Sequence, residues 1–287
     1  MPYAAQSILS LQLACNEYGS KIYNERTKEH TKTIFNTMLS YDTTVVDNFR
    51  SNFYTMPEGR TIRPHVAAAE LAWSLLGVKD ADFIQQYSKM WSKFTNEKNE
   101  VEAAYGYRWK RHFGRDQLFE AMDQLQKNKS SRQLVVMAWD PRSDGLTNEG
   151  KIKNVPCPMG FQLNVDLNDT LHLTVFMRSS DLVVGLPYDY MFYDQLAVAI
   201  ANEMGLKKTE ITIFSANSHI YRKHQDIVID QFLYDENCML PKHYQSDFAI
   251  SDIATHPEDY IAYIKQDTIK DVNARKELYD PKPEVFE

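Results

Sequence analysis

"GFQLNVDLNDTLHLTVFMRSSDLVVGLPYDYMFYDQLAVAIANEMGLKKTEITIFSA" occupies residues 160–216 of the 287-residue chain. Side chains alternate along GFQLNVDL (160–167) and TLHLTVFM (170–177), and the pair Asn168-Asp169 separates them. That pattern predicts a β-hairpin. YDYMFYDQLAVAIANEMG (188–205) then reads as an almost wholly apolar helix that stops at Gly205. EITIFSA (210–216) reads as a further strand. Two strands, a buried helix and another strand predict a mixed α/β (α+β) domain.

The flanking sequence fits the same class. RPHVAAAELAWSLLG (63–77) reads as a helix, with Pro64 near its start and Gly77 as its stop. DADFIQQYSKMW follows, with Asp80 as the expected N-cap. RDQLFEAMDQLQKN (115–128) places Leu118, Met122 and Leu125 at helical spacing, and QLVVMAW (133–139) reads as a buried strand. No repeat, low-complexity tract or Gly/Ser linker interrupts the chain, so one domain over 1–287 is expected. Beyond about residue 250 the sequence is charged and weakly periodic and gives no assignment.

Composition narrows the function classes. With 43% hydrophobic and 25% charged residues, the chain is ordinary for a globular protein. A net charge of −7 does not advertise nucleic acid binding, so an anionic substrate needs a local basic pocket. No apolar run approaches a membrane span, and MPYAAQSILS lacks the basic start of a signal peptide. Cys15, Cys157 and Cys238 are odd in number and far apart. They argue for a reducing, cytoplasmic setting, and against a disulfide framework or a zinc site.

Five residues stand out chemically. Cys157 lies between Pro156 and Pro158 in NVPCPMGFQ (154–162), where a stiff backbone can hold a thiol in place. Free cysteines are more often small buried hydrophobes, and a nucleophilic one needs nearby cations. Arg178 ends an apolar strand, where a charge is either at the surface or facing a ligand. Glu70 has Val66 and Ala67 one turn before it and Trp73 one turn after. If buried, its carboxyl titrates high and suits proton relay. NSHIYRKH (217–224) supplies His219 and Tyr221, spaced to point the same way after a strand. A cysteine hydrolase using Cys157 and His219 would also need an oxyanion hole, and no Gly-rich turn signals one.

Taken in order, NERT, AAELAWSLLG, AAYGYRW, SSRQLVVMAW, VPCPMGFQ, MRSSDLVVGLPYDYMFYDQLA and NSHIYRKH resemble the thymidylate synthase family from about residue 20 to 230. The resemblance implies a large twisted sheet covered by helices on one face, with two sheets packed back to back in a homodimer. It also implies one-carbon transfer from 5,10-methylenetetrahydrofolate to C5 of a pyrimidine nucleotide, with no metal and no nucleic acid or membrane partner. By resemblance, Cys157 adds to pyrimidine C6, and Glu70 organises water and relays protons. Arg178 and Ser179 match the phosphate-binding Arg-Ser pair. Arg26 matches a mobile-loop arginine, and Arg132 one lent by the second subunit. His219 and Tyr221 match groups on the sugar hydroxyl, and Gln162 belongs to the same substrate-binding set. Asp181, Trp91 and Gly185 match the folate pocket. A nucleotide- or RNA-binding relative without catalysis is the remote alternative. Cys157, Glu70 and Arg178 together argue against it.

Asp189 in GLPYDY is the main departure from synthases acting on deoxyuridylate, which have asparagine there. Asparagine matches the N3–H and O4 of uracil. An acid accepts from the cytosine amino group, and a shared proton satisfies N3. Leaving such a group unpaired costs about 1–3 kcal/mol. The family's bacteriophage deoxycytidylate hydroxymethylases carry this aspartate, and MRSSDLVVG resembles their block. The resemblance therefore implies dCMP as substrate and hydroxymethylation as the reaction, with a dCMP methylase and then a thymidylate synthase as alternatives. A phage-encoded protein of this kind would serve DNA modification inside a bacterial host. Pro158 replaces the family's usual histidine, Gln133 a second arginine, and Phe94 a second tryptophan.

Overall fold

The computed structural model describes residues 4–25, 27–42, 63–145, 155–226, 228 and 246–267. Strands β1 (Ser20–Asn24), β2 (Glu29–Asp42), β3 (Val135–Met137), β4 (Pro158–Val165), β5 (Thr170–Met177), β6 (Ser180–Asp181) and β7 (Lys208–Tyr221) form one mixed sheet. Its order is β1-β2-β7-β5-β4-β3, with β6 paired to β7. The predicted hairpin is the antiparallel β4–β5 pair, and Asp169 takes the left-handed conformation at its turn. β5 and β7 run parallel because the helix between them carries the chain back across the sheet.

The helices are α1 (Ala4–Tyr18), α2 (Pro64–Leu76), α3 (Asp82–Gln85), α4 (Tyr105–Tyr107), α5 (Gln117–Lys127), α6 (Gly185–Met204) and α7 (Ile250–Thr255). Pro64 starts α2, and Gly77 ends it at φ 64°. Gly205 likewise ends α6 at φ 63°. Fourteen residues of α6 are buried, which explains the apolar sequence that announced it. Its packing partners include Phe161, Leu173, Val175, Ile211 and Ile213 on one face of the sheet, all within the core.

Across the other face, Met38, Phe214, Phe176, Gly160 and Met137 follow one another in register. Met38 is 57% exposed, Phe214 41% and Phe176 39%. The Phe176 and Phe214 rings stack 6.1 Å apart. Helices thus cover one face, and the other presents apolar side chains to solvent.

Several expectations change. Asp80 does not cap a helix: α3 begins at Asp82 after Ala81, and Asp80 instead bridges to Glu100. Regular strand covers only Val135–Met137 of the 133–139 run, and Val135 is 43% exposed because its side faces the open face of the sheet. β7 extends to Tyr221, so His219 and Tyr221 lie inside a strand and not after it. Pairing with β2 between Glu210 and Tyr221 supports that extension. Residues beyond 250, unassigned from sequence, include α7 and a helical stretch at 257–267.

Candidate active site

Two cavities meet at one strand end. The larger, about 850 Å³, is lined by residues of α2, the 89–94 turn, α4, β6 and α6. The smaller, about 370 Å³, lies over β1, β2 and β7. Cys157, Ser179 and Asp181 line both.

Cys157 sits immediately before β4. Its carbonyl accepts from the Arg178 backbone N–H at 2.9 Å. The Arg178 side chain returns to the same turn, donating Nε to Pro156 O at 2.7 Å and Nη2 to Val155 O at 3.0 Å. Arg178 thus braces the Pro-Cys-Pro turn and lines the smaller cavity. His219, Tyr221, Asn217, Thr31 and Thr33 complete much of that wall. His219 Nδ1 pairs with Asn217 Oδ1 at 3.1 Å, which fixes the ring.

The larger cavity is acidic and aromatic. Glu70 faces it from α2, and Trp91 donates its indole N–H to Glu70 Oε1 at 2.9 Å. Burial pushes the Glu70 carboxyl up to about 7, and the Trp91 bond opposes that rise. Asp189 is pushed up to about 8, first by burial and then by the nearby charges of Glu70 and Asp181. Both side chains keep some surface open to the cavity, so they exchange protons with whatever fills it. Asp181 Oδ1 accepts from the Val183 and Val184 N–H groups, tying β6 to the start of α6. Gly185 lies between the two acids: an added Cβ would sit 3.6 Å from Asp189 Oδ2.

Tyr105 reaches this wall because α4 presses onto α2. A Cβ on Gly106 would lie 1.9 Å from Ser74 O, so only glycine permits that approach. Trp91 packs edge-on against Tyr105 and Phe94.

Cys157, Glu70, Asp189, Arg178, Ser179, His219, Tyr221, Trp91, Asp181 and Gly185 are therefore all brought to the two cavities. Gln162 and Arg132 line neither; Gln162 donates to Arg132 O at 3.2 Å, and Arg132 is exposed. The Gln162 placement departs from the expectation, because its side chain falls on the helix-free face of the sheet. Arg26 lies outside the described residues. Sequence reading gave no role to Tyr105, Tyr188, Ser180, Asn217, Thr31 or Thr33. The alternation of Thr31 and Thr33 was a usable strand signal. Ser180 had none, yet its hydroxyl is sealed from solvent beside the larger cavity and makes no hydrogen bond.

The thymidylate synthase family model matches residues 10–274. The chain belongs to the thymidylate synthase family. A thymidylate synthase of Corynebacterium aurimucosum is 27% identical over 215 residues, spanning 72% of this chain and 75% of that relative. The family assignment makes this an enzyme of folate-dependent one-carbon transfer to pyrimidine C5, a transferase of nucleotide biosynthesis. Family members bind a nucleotide and use methylenetetrahydrofolate, typically as homodimers. The larger cavity fits a folate on its own terms: its volume suits a small molecule, and Trp91, Phe94 and Tyr105 offer flat apolar walls beside Asp181. Among the described residues no helix is long and apolar enough to cross a membrane, and no cluster of His, Cys, Asp and Glu has metal-site geometry.

Proposed function

We propose that this protein is a deoxycytidylate 5-hydroxymethyltransferase. The carrying observation is a carboxyl at 189, titrating at about 8, in the wall that also holds Cys157 and Glu70. A neutral carboxyl offers one donor and one acceptor. Its O–H satisfies cytosine N3 and its other oxygen accepts from the amino group. An ionised carboxylate has only acceptors and leaves N3 unpaired. Exchanging the two oxygens lets a neutral acid match uracil as well, so preference for cytosine rests on which oxygen carries the proton.

Cys157 adds as a thiolate to C6 and pushes electron density onto C5, which then bonds the donor's methylene carbon. The larger cavity holds the methylenetetrahydrofolate, with Trp91 against its ring and Asp181 and Gly185 at its edge. The smaller cavity holds sugar and phosphate, where Arg178 and Ser179 face phosphate and His219 and Tyr221 the sugar hydroxyl. Glu70 relays protons through water. Loss of the C5 proton and cleavage of the methylene–nitrogen bond then release tetrahydrofolate, unoxidised, and leave an exocyclic methylene at C5. Water adds to that carbon, and loss of the Cys157 thiolate from C6 restores the ring double bond and gives the hydroxymethyl product. The Glu70 carboxyl gives that cavity a polar group that an ordered water can bond.

The apolar sheet face supports a back-to-back homodimer, and in this reading the exposed Arg132 serves the partner's phosphate. Incubation with methylenetetrahydrofolate and either dCMP or dUMP, followed by mass spectrometry, tests the whole reading. Hydroxymethyl-dCMP is the expected product. Methyl-dCMP would leave the base assignment and replace the water step; dTMP alone would overturn both.

A further inference from the structure

The Trp139 ring lines neither cavity, yet the Arg178 guanidinium lies over it at 5.8 Å. We propose that Trp139 is a positioning residue: its ring holds the Arg178 guanidinium against the turn that carries Cys157. The proposal rests on reading Cys157 as the nucleophile.

The ring is itself held. The Trp139 backbone N–H donates to Met159 O at 3.0 Å, just beyond the cysteine turn, which fixes the stem of the side chain. Gly145 approaches the six-membered edge of the ring so closely that an added Cβ would fall 2.6 Å from Trp139 Cζ2. Gly145 stays there because the 140–145 turn is anchored from beneath. Buried Arg108 donates Nη2 to Asp144 Oδ1 at 3.0 Å, and Asp144 Oδ2 accepts from the Asp140 N–H at 2.8 Å. His112 Nε2 pairs with Asp140 Oδ2 at 2.8 Å. A chain of fixed contacts thus runs from a buried arginine through a turn and an indole to the cation that braces Val155 and Pro156. Neither of those bracing bonds uses Nη1. An aromatic face holds a guanidinium without competing for its N–H groups, whereas a carboxylate there would engage and neutralise it.

The test is the pH profile of Cys157 alkylation by iodoacetamide, read by mass spectrometry of the Cys157 peptide. It is measured in the wild type, Trp139→Leu, Arg178→Lys and the double variant. Trp139→Leu is expected to move the alkylation midpoint to higher pH and slow the reaction at neutral pH roughly threefold, the scale of one cation–π contact. In the Arg178→Lys background it should add nothing, because the two residues act as one unit. Equal losses in both backgrounds, or an unmoved midpoint, would overturn the proposal. If Trp139→Leu fails to fold, Trp139→Phe carries the same cycle: a smaller shift coupled to Arg178 supports it, and an uncoupled or absent shift overturns it. Alkylation needs neither nucleotide nor folate. A wild type that turned over no pyrimidine would end the proposed function while leaving this measurement intact.

Discussion

The Trp91 indole donates to the Glu70 carboxylate across 2.9 Å, joining the aromatic wall of the larger cavity to the acid proposed to relay protons. A bond to the charged form lowers a carboxyl's pKa. Trp91→Phe removes it, so Glu70 should titrate above its present value of about 7. Ionised Glu70 then requires higher pH, and the acid limb of the kcat profile should shift upward. A kcat–pH series checks this; an unmoved limb would separate Glu70 from the proton step.

Cys157→Ser should abolish turnover and leave nucleotide binding nearly unchanged. The hydroxyl is far less acidic than a thiol, while the walls made by Arg178, Ser179, His219 and Tyr221 remain. Product formation and equilibrium dialysis with dCMP check the two halves. Turnover near the wild-type rate would remove the covalent step.

Asp189→Asn tests both specificity and stability. An amide matches uracil N3–H and O4, so the ratio of kcat/KM for dUMP over dCMP should rise by about tenfold or more, the cost of one unpaired group. Stability carries its own sign. Folding raises the Asp189 carboxyl from 3.8 to about 8, so in that interval the native state binds more protons than the unfolded chain. Stability therefore falls as pH rises through it. The Tm of Asp189→Asn, measured from pH 5 to 9, should lose that part of the decline relative to wild type.

Gly106→Ala should destabilise the fold by at least about 1–3 kcal/mol, because the new methyl meets the Ser74 backbone, which cannot turn aside. Urea unfolding measures it. Wild-type stability would mean that α4 can slide away from α2.

Mixing Cys157→Ser with Arg132→Ala should restore activity if Arg132 serves the neighbouring site, since each mixed dimer regains one site with both native residues. Phe214→Glu, on the exposed face, should shift the protein toward monomer in sedimentation. Persistence of inactivity in folded mixed dimers would overturn the proposal that Arg132 serves the neighbouring site.

The sequence by itself determined the elements whose causes are local. Alternation gave the β4–β5 hairpin, apolar length gave α6, and Pro64, Gly77 and Gly205 gave helix ends. The prolines flanking Cys157 singled out that thiol, and the structure places it where the two cavities meet. Tertiary structure decided the rest. Whether Glu70 is a surface acid or a buried one depends on Trp91, twenty-one positions away. The raised proton affinity of Asp189 comes first from burial and then from Glu70 and Asp181, residues of other elements. β7 reaches Tyr221 only because β2 pairs with it, which turned His219 from a loop residue into a wall of the site. Periodicity records what each segment buries, but electrostatics and cavity shape are set by segments distant in the chain, and only their packing brings those together.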